Sequence, residues 1–589
     1  MKLLLPVLLL VAAAAPAYSI PHISEIMESI KEEREEPQPQ PQLQLEEEFS
    51  KSDVQTLTFD QRLDHFSSQI DCHQEDNDEC ETFKQRYFYT ARYVHKEEEK
   101  KGVGINTNRN TVSFLCVGGE GPSLGPSVLV DSVHCTGDMI ELAHKLHHEQ
   151  NWNVHMFSLE HRYYGESFPK KNKSQNLEAY LRANEKELDS DDEYKYLSSR
   201  QAVRDIVEFV NSSEASQHFK NGKISNNNNN KVRWITFGGS YPGMLSGWSR
   251  LLHPDVVYGA VANSAPVQAE ADFRSYNDHV SLDLGQESLV GGSKKCLDIF
   301  ESGHAEVAAI LEGGDVDEIN KVASTFDVCG GATMLLKDRK NLNFFVGYPV
   351  LFPIEVQSND PTCDEPLCNV QKICDAIADE HKSDPHKPSM EILAEIGKQK
   401  QAGRCKEVNF QSLINYFSAP STAKSANNRS WYYQTCTEFG FYQTCEDNSN
   451  CPYARGHHNV DMDFEICEKS FGIDAKKVKA SIESTLAYYG GWDLTPGDKK
   501  SAVLEGQKRL LFVNGNADPW SELSVNEKRG SSHVQTINVP GASHHFWTHP
   551  VKESDDNHVV EARQAIYRHV YDWLGINEDS PRDYDLKTE

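Results

Sequence analysis

The stretch from Arg233 to Arg250, RWITFGGSYPGMLSGWSR, constrains the fold more than any other part of the chain. Trp234, Ile235, Thr236 and Phe237 are aromatic or β-branched, which suits a short buried strand, and Gly238 and Gly239 end that pattern. Pro242 fits a first helical turn, where its missing N–H costs nothing, and Met244, Leu245, Trp248, Leu251 and Leu252 recur at helical spacing. Ser240 therefore stands on a strand-to-helix corner. This is the geometry of a nucleophile elbow, which lifts a serine hydroxyl above a sheet and sets it at a helix N-terminus. The pattern departs from G-x-S-x-G at its fifth position, which is Pro242, with the glycine one residue later at Gly243. Alone, the corner reads equally well as a tight turn in which glycine and serine serve only the backbone.

Such a corner needs companion strands, and the chain supplies them. TVSFLCV (111–117) leads into Gly118, Gly119, Glu120 and Gly121; VHMFSL (154–159) into EHRYYGES; GAVA (259–262) into NSAPV; and RLLFV (509–513) into NGNADPW. Short apolar runs followed by glycine-rich turns or helical patterns predict an α/β domain with a mostly parallel sheet. In such sheets the loops beyond the carboxyl ends of the strands converge on one site. From about Asp278 to about Tyr489, more than 200 residues break this rhythm and hold most of the cysteines. We read residues 51–285 as the first part of the core and 286–488 as an inserted, mainly helical cap. Residues 489–589 are then the second part of the core with a C-terminal tail.

The first 19 residues join a short basic start to an apolar run and small residues, the pattern of a secretory signal peptide. Residues 20–50 are acidic and rich in Pro and Gln, and read as a propeptide or flexible arm. No later run reaches the ~20 apolar residues of a membrane span, so a soluble protein without a membrane anchor is expected. A net charge of -30 argues against nucleic acid as a partner. Fourteen cysteines suit an oxidising compartment, either extracellular or lysosomal/vacuolar. The groups Cys72/Cys80, Cys363/Cys368/Cys374 and Cys436/Cys445/Cys451/Cys467 are candidates for local bridges. With no C-x-x-C present and His457/His458 lacking finger spacing, no metal and no cofactor are expected. Sequons at Asn172, Asn211 and Asn428 fit glycosylated surface loops.

A serine hydroxyl is a poor nucleophile at neutral pH, so Ser240 needs a base, and the base needs a carboxylate to fix its tautomer. Asp518 follows a strand and turn in NGNADPW, and His544 and His545 follow VQTINVP. The order Ser, Asp, His is that of the α/β-hydrolases, and an inserted cap accounts for the long gap between the first two. An oxyanion needs preorganised donors, which the Tyr241 N–H and an N–H in the Gly118–Gly121 turn, such as that of Gly119, can supply. Each piece has a plain structural alternative, and their joint placement after successive strands favours the catalytic one.

The motifs FDQRLDHF (59–66), QRYFY (85–89), VGGEGP (117–122), EHRYYGESFP (160–169), GGSYPGML (238–245), WYYQTCTEFGFYQTC (431–445), NGNADPW (514–520) and GASHH (541–545) together resemble one serine peptidase family. It includes lysosomal Pro-X carboxypeptidase, dipeptidyl peptidase II and thymus-specific serine protease, and the 431–445 stretch looks most like the last of these. The resemblance implies an α/β-hydrolase core with a helical cap and serine-type exopeptidase activity on short peptides, often after proline. It assigns Ser240 as nucleophile, Asp518 as acid and His544 as base, with His545 as a substrate-side neighbour. Gln434 and Glu438, in the cap motif, are candidate substrate-binding residues facing the cleft and read equally well as capping or core-edge groups, and Glu160 with Arg162 reads as a structural ion pair under the site. Phe546, Trp547, Thr548 and His549 stand where the carboxypeptidase has Leu-Asp-Leu-Arg, and VQSND (356–360) stands where relatives often have VQYN. Carboxypeptidase and aminodipeptidase therefore both stay open, as does a homodimer; the second enzyme class is a lipase or esterase.

Overall fold

Strands that are buried on both faces carry unbroken apolar runs, because helices cover the sheet from either side. Asn153–Leu159 and Arg233–Gly239 are buried along nearly their whole length for this reason. In the computed structural model, the described residues are 50–67, 81–95, 109–169, 193–219, 232–401, 403–419, 426–497 and 500–576. The signal-peptide and arm readings, Cys72/Cys80 and Asn172 lie outside them.

The strands are β1 (Gln55–Arg62), β2 (Thr82–Tyr93), β3 (Thr111–Val117), β4 (Asn153–Leu159), β5 (Arg233–Gly239), β6 (Gly259–Asn263), β7 (Glu270–Asp272), β8 (Gly440–Tyr442), β9 (Leu510–Gly515) and β10 (Gln535–Val539). Eight of them form one sheet in the order β1-β2-β4-β3-β5-β6-β9-β10, and β7 pairs with β8 in a small parallel sheet. From β4 to β10 all pairings are parallel, whereas β1 and β2 add an antiparallel edge. Alternation divides the core in two. Val112, Phe114, Ile235, Phe237, Leu511 and Val513 face the layer of the C-terminal helix Asn557–Leu574. Leu115, Trp234, Ala260 and Phe512 face the other, which also holds the helices Ser199–Asn211 and Tyr241–Leu252.

Between β6 and β9 the chain is mainly helical, and its apolar residues run without a break into that second layer of the core. Trp248 on the helix after Ser240 stacks on Tyr489, at the end of the helix Ala475–Tyr489, with ring centroids 3.7 Å apart and planes 9° from parallel. The fold is thus an α/β-hydrolase core with a large helical cap packed onto it. Among the described residues no helix is long and apolar enough to cross a membrane.

The bridges among described cysteines are Cys116–Cys135, Cys296–Cys374, Cys329–Cys405, Cys363–Cys368, Cys436–Cys467 and Cys445–Cys451. The last three stay within the expected local groups. Cys374 does not: the helices Lys294–Gly313 and Val370–Ser383 pack so that its Cα lies 5.1 Å from that of Cys296. Because this bridge spans 78 residues, replacing both cysteines by serine is expected to cost about 4 kcal/mol. The measurement is the unfolding midpoint of the double variant, with peptide mapping under non-reducing conditions to recover the 296–374 pair; a local Cys374 bridge would contradict the pairing.

Candidate active site

Ser240 has φ 62° and ψ -132°, a region that costs a non-glycine residue about 1–3 kcal/mol and persists only where its surroundings impose it. Here they do. The Ser240 N–H donates to the Asn263 carbonyl at the end of β6 (2.9 Å), and its carbonyl accepts from Met244 N–H in the first turn of the following helix (3.0 Å). Pro242 occupies that first turn, as expected. A Cβ on Gly238 would lie 2.4 Å from the Pro242 oxygen, so the turn closes only over glycine. The hydroxyl of Ser240 is buried and makes no hydrogen bond.

Asp518 ends the turn after β9, and its carboxylate caps the short helix Pro519–Leu523 by accepting from Trp520 N–H (3.0 Å). Its second oxygen lies 2.9 Å from His544 Nδ1. An ionised carboxylate only accepts, so Nδ1 carries the proton and Nε2 presents a lone pair. That Nε2 makes no hydrogen bond, like the Ser240 hydroxyl, and Asp518 and His544 are 0% and 3% exposed. The loops carrying the two residues are tied together by Gln357. Its carbonyl accepts from His544 N–H (3.1 Å), and its side-chain oxygen accepts from the Trp520 indole (2.8 Å) and the Tyr276 hydroxyl (3.1 Å). Sequence reasoning noted the VQSND segment only as a departure from relatives; Gln357 is its cap-side brace.

The Tyr241 N–H opens the helix after Ser240, and the Gly118–Gly121 turn abuts it. A Cβ on Gly119 would fall 2.4 Å from Pro242 Cγ and 2.5 Å from Cδ. Glu120, next along, lines a small cavity with Gly118, Gly119, His134 and Pro242, and burial pushes its carboxyl up to about 8.

Several expected site residues occupy other places. Gln434 is fully committed: its oxygen accepts from the Tyr164 hydroxyl (2.6 Å), and its nitrogen donates to the Tyr241 hydroxyl (3.0 Å) and to Glu438 (3.1 Å). Glu438 accepts in turn from the Ser199 N–H and hydroxyl. His161 Nδ1 donates to the Arg162 carbonyl, so its Nε2 accepts from the Tyr241 hydroxyl (2.9 Å), and burial pushes the ring down to about 4. Gln434 and Glu438 thus join the cap to the elbow, with their polar atoms taken up by protein partners.

His545 packs its ring against Gly239, where an added Cβ would come within 2.9 Å of it, and its N–H donates to the Ser264 hydroxyl (2.9 Å). It therefore supports the corner from within. Glu160 and Arg162 are both buried and paired, but not with each other. Glu160 pairs with Arg86 (2.6 Å), and Arg162 makes two bonds of 2.6 Å to Asp205, because the two side chains leave the loop after β4 toward different elements. Asn211 is exposed at the end of its helix. Asn428 is half-buried within a helix, not in a loop, and its amide donates to the Tyr416 hydroxyl.

The profile of the family described as serine carboxypeptidase S28 matches residues 61–566. Thymus-specific serine protease of Mus musculus is 30% identical over 500 residues, covering 84% of both chains. The Homo sapiens protein of that name is 31% identical over 472 residues, covering 79% of this chain and 80% of that one. Lysosomal Pro-X carboxypeptidase of Bos taurus is 23% identical over 539 residues, covering 87% of each. The chain belongs to the serine carboxypeptidase S28 family and is a serine peptidase.

Two outcomes are expected from this geometry. Gly119→Ala, whose Cβ would meet Pro242, should displace the Gly118–Gly121 turn from the elbow and lower kcat by about 10²-fold, with an unchanged far-UV circular dichroism spectrum. The second concerns acid. Burial holds His134 and His549 down at about 4 and His545 well below its ordinary value of 6.5. Between about pH 6.5 and 4 these three rings take up protons in the unfolded chain that they refuse in the folded one, so their own contribution to stability falls as the pH falls, against the opposite contribution of buried carboxyls such as Glu120. His549→Asn removes one of these contributions, so its thermal midpoint measured across that range should lose less on acidification than that of wild type.

Proposed function

We propose that this S28 peptidase hydrolyses short peptides near one end, at bonds after proline, through an acyl-enzyme on Ser240. The observation that carries the reading is the Asp518–His544 hydrogen bond, with His544 Nε2 and the Ser240 hydroxyl both buried and unbonded in loops that follow parallel strands of one sheet. In the first step the Ser240 oxygen attacks the scissile carbonyl while His544 Nε2 takes the hydroxyl proton. Asp518 holds the ring in the tautomer that this requires and stabilises the imidazolium that forms. The N–H groups of Tyr241 and Gly119 receive the negative oxygen. His544 then hands its proton to the leaving amine, and water, deprotonated by the same ring, releases the acyl product.

The cap supports the restriction to chain ends. Ser240 is 0% exposed beneath it, so a long polypeptide cannot lie across the serine without displacing packed helices. The preference for proline rests on the relatives called Pro-X carboxypeptidase. The disulfides support an oxidising compartment, and together with those relatives favour the secretory pathway or lysosome.

A fluorophosphonate should label the protein at one site, and Ser240→Ala should abolish labelling; modification persisting in that variant would remove the assignment. Two proline-containing peptides then settle direction, one with a blocked N-terminus and free C-terminus, the other with the ends reversed. Cleavage of the first alone establishes a carboxypeptidase, and cleavage of the second alone an aminodipeptidase. Rapid turnover of p-nitrophenyl esters with neither peptide cut would favour the esterase.

A further inference from the structure

The loop that carries Asp518 is gripped from behind by a histidine outside the proposed triad. His279 lies on the helix Arg274–Gly285, the first long helix after β7, and is 7% exposed. Its Nε2 is 3.1 Å from the Asn516 carbonyl and its Nδ1 3.2 Å from Glu522 Oε1. A carbonyl oxygen and an ionised carboxylate are both acceptors, so both ring nitrogens must donate, and the ring that satisfies them is the imidazolium. Asn516 lies two residues before Asp518 and Glu522 lies in the short helix that Asp518 caps. His279 thus holds the loop on both sides of the proposed catalytic acid.

The charges around this ring are consistent with a cation. On its own helix, Asp283 Oδ2 lies 3.9 Å from Nε2, and Asp283 is fully buried with neither oxygen hydrogen-bonded. From the acid loop, Glu522 and Asp518 act on it, and Arg529 reaches the far oxygen of Glu522 (2.9 Å). Burial pulls His279 down, but Glu522, Asp283 and Asp518 outweigh it and hold the ring above its ordinary value. Burial drives Asp283 well up, while His279 and Arg529 hold Glu522 down at about 2.

We infer that His279 is a positioning residue for the hydrolytic reaction, acting as a cationic clamp between the helix Arg274–Gly285 and the Asp518 loop and setting an alkaline limit on activity. The inference rests on the reading of Ser240, Asp518 and His544 as the triad. As the pH rises the ring loses its Nε2 proton, because the Glu522 carboxylate retains the one on Nδ1, and a lone pair then faces the Asn516 carbonyl. The donor that held the loop becomes a repulsive contact, and Asp518 loses its alignment with His544. Misplacement of this kind far from the bond being broken costs roughly 10²-fold or less in rate.

The test is the rate of fluorophosphonate labelling of the full chain against pH, for wild type, His279→Gln and Glu522→Gln, with Ser240→Ala as the site control. Wild type should show a fall on the alkaline side. His279→Gln should label roughly 10- to 100-fold more slowly at pH 5 and show no alkaline fall. Glu522→Gln, which takes away the group that sustains the cation, should move the fall to lower pH. No alkaline fall in wild type, the same fall in all three proteins, or full-speed labelling of His279→Gln would each overturn the inference. If His279→Gln does not fold, an unshifted fall in Glu522→Gln overturns it alone. Labelling of Ser240→Ala at the wild-type rate would instead defeat the triad reading, so the two failures are distinguishable.

Discussion

The backbone of Ser240, held at φ 62° between a strand and a helix, is the constraint on which the rest of the structure depends. Nothing local makes that conformation favourable for serine. It is imposed by the Asn263 carbonyl above the β6 end, by the glycine that lets Pro242 close in, and by the His545 ring packed beneath Gly239. Asn263 is itself fixed from two sides, its amide donating to Asp138 (2.7 Å) and its oxygen accepting from the Trp547 indole (2.7 Å). Thr548 donates to the Val133 carbonyl (2.6 Å) and His549 accepts from Arg563, so the FWTH segment locks the loop behind the histidine pair. Its departure from the carboxypeptidase pattern therefore has a structural content: these residues brace the corner.

The cap is joined to that corner by polar groups that leave nothing unpaired among themselves. The chain Tyr164, Gln434, Tyr241 and His161, with Glu438, Ser199 and Tyr489 on its other flank, is buried and hydrogen-bonded throughout. A buried network of this kind is costly if any member is removed, because the remaining groups lose partners that water cannot replace. Tyr241 belongs both to this network, through its hydroxyl, and to the site, through its N–H. Gln357 and the helix carrying His279 reach the other two loops in the same way. The loops carrying Ser240, Asp518 and His544 thus each have a contact in the cap, which makes the cap part of the site's construction as well as its cover.

Much of this was legible in the chain. The runs TVSFLCV, VHMFSL and RLLFV declare buried strands because a residue between two helical layers has no polar face to show. Ser240 and Asp518 are candidates because each follows such a strand, and His544 because it follows the run VQTINVP, whose strand lies at the sheet edge. The antiparallel edge of β1 and β2 was not found, since strands with one wetted face alternate and carry weaker signals. Cys374, Glu160 and Arg162 were paired by proximity along the chain, and Gln434 and Glu438 were assigned by motif. In all five the partner is set by which helix or strand packs alongside.

The sequence by itself determined the order and type of the elements and the identity of the residues at their ends, because period and turn chemistry act over a few neighbours. The tertiary structure alone decided which polar groups meet. Cys374 reaches Cys296, Gln434 reaches Tyr241 and His279 reaches Glu522 across 78, 193 and 243 residues. Over such separations, contacts follow from how whole helices pack, and no local pattern along the chain encodes them.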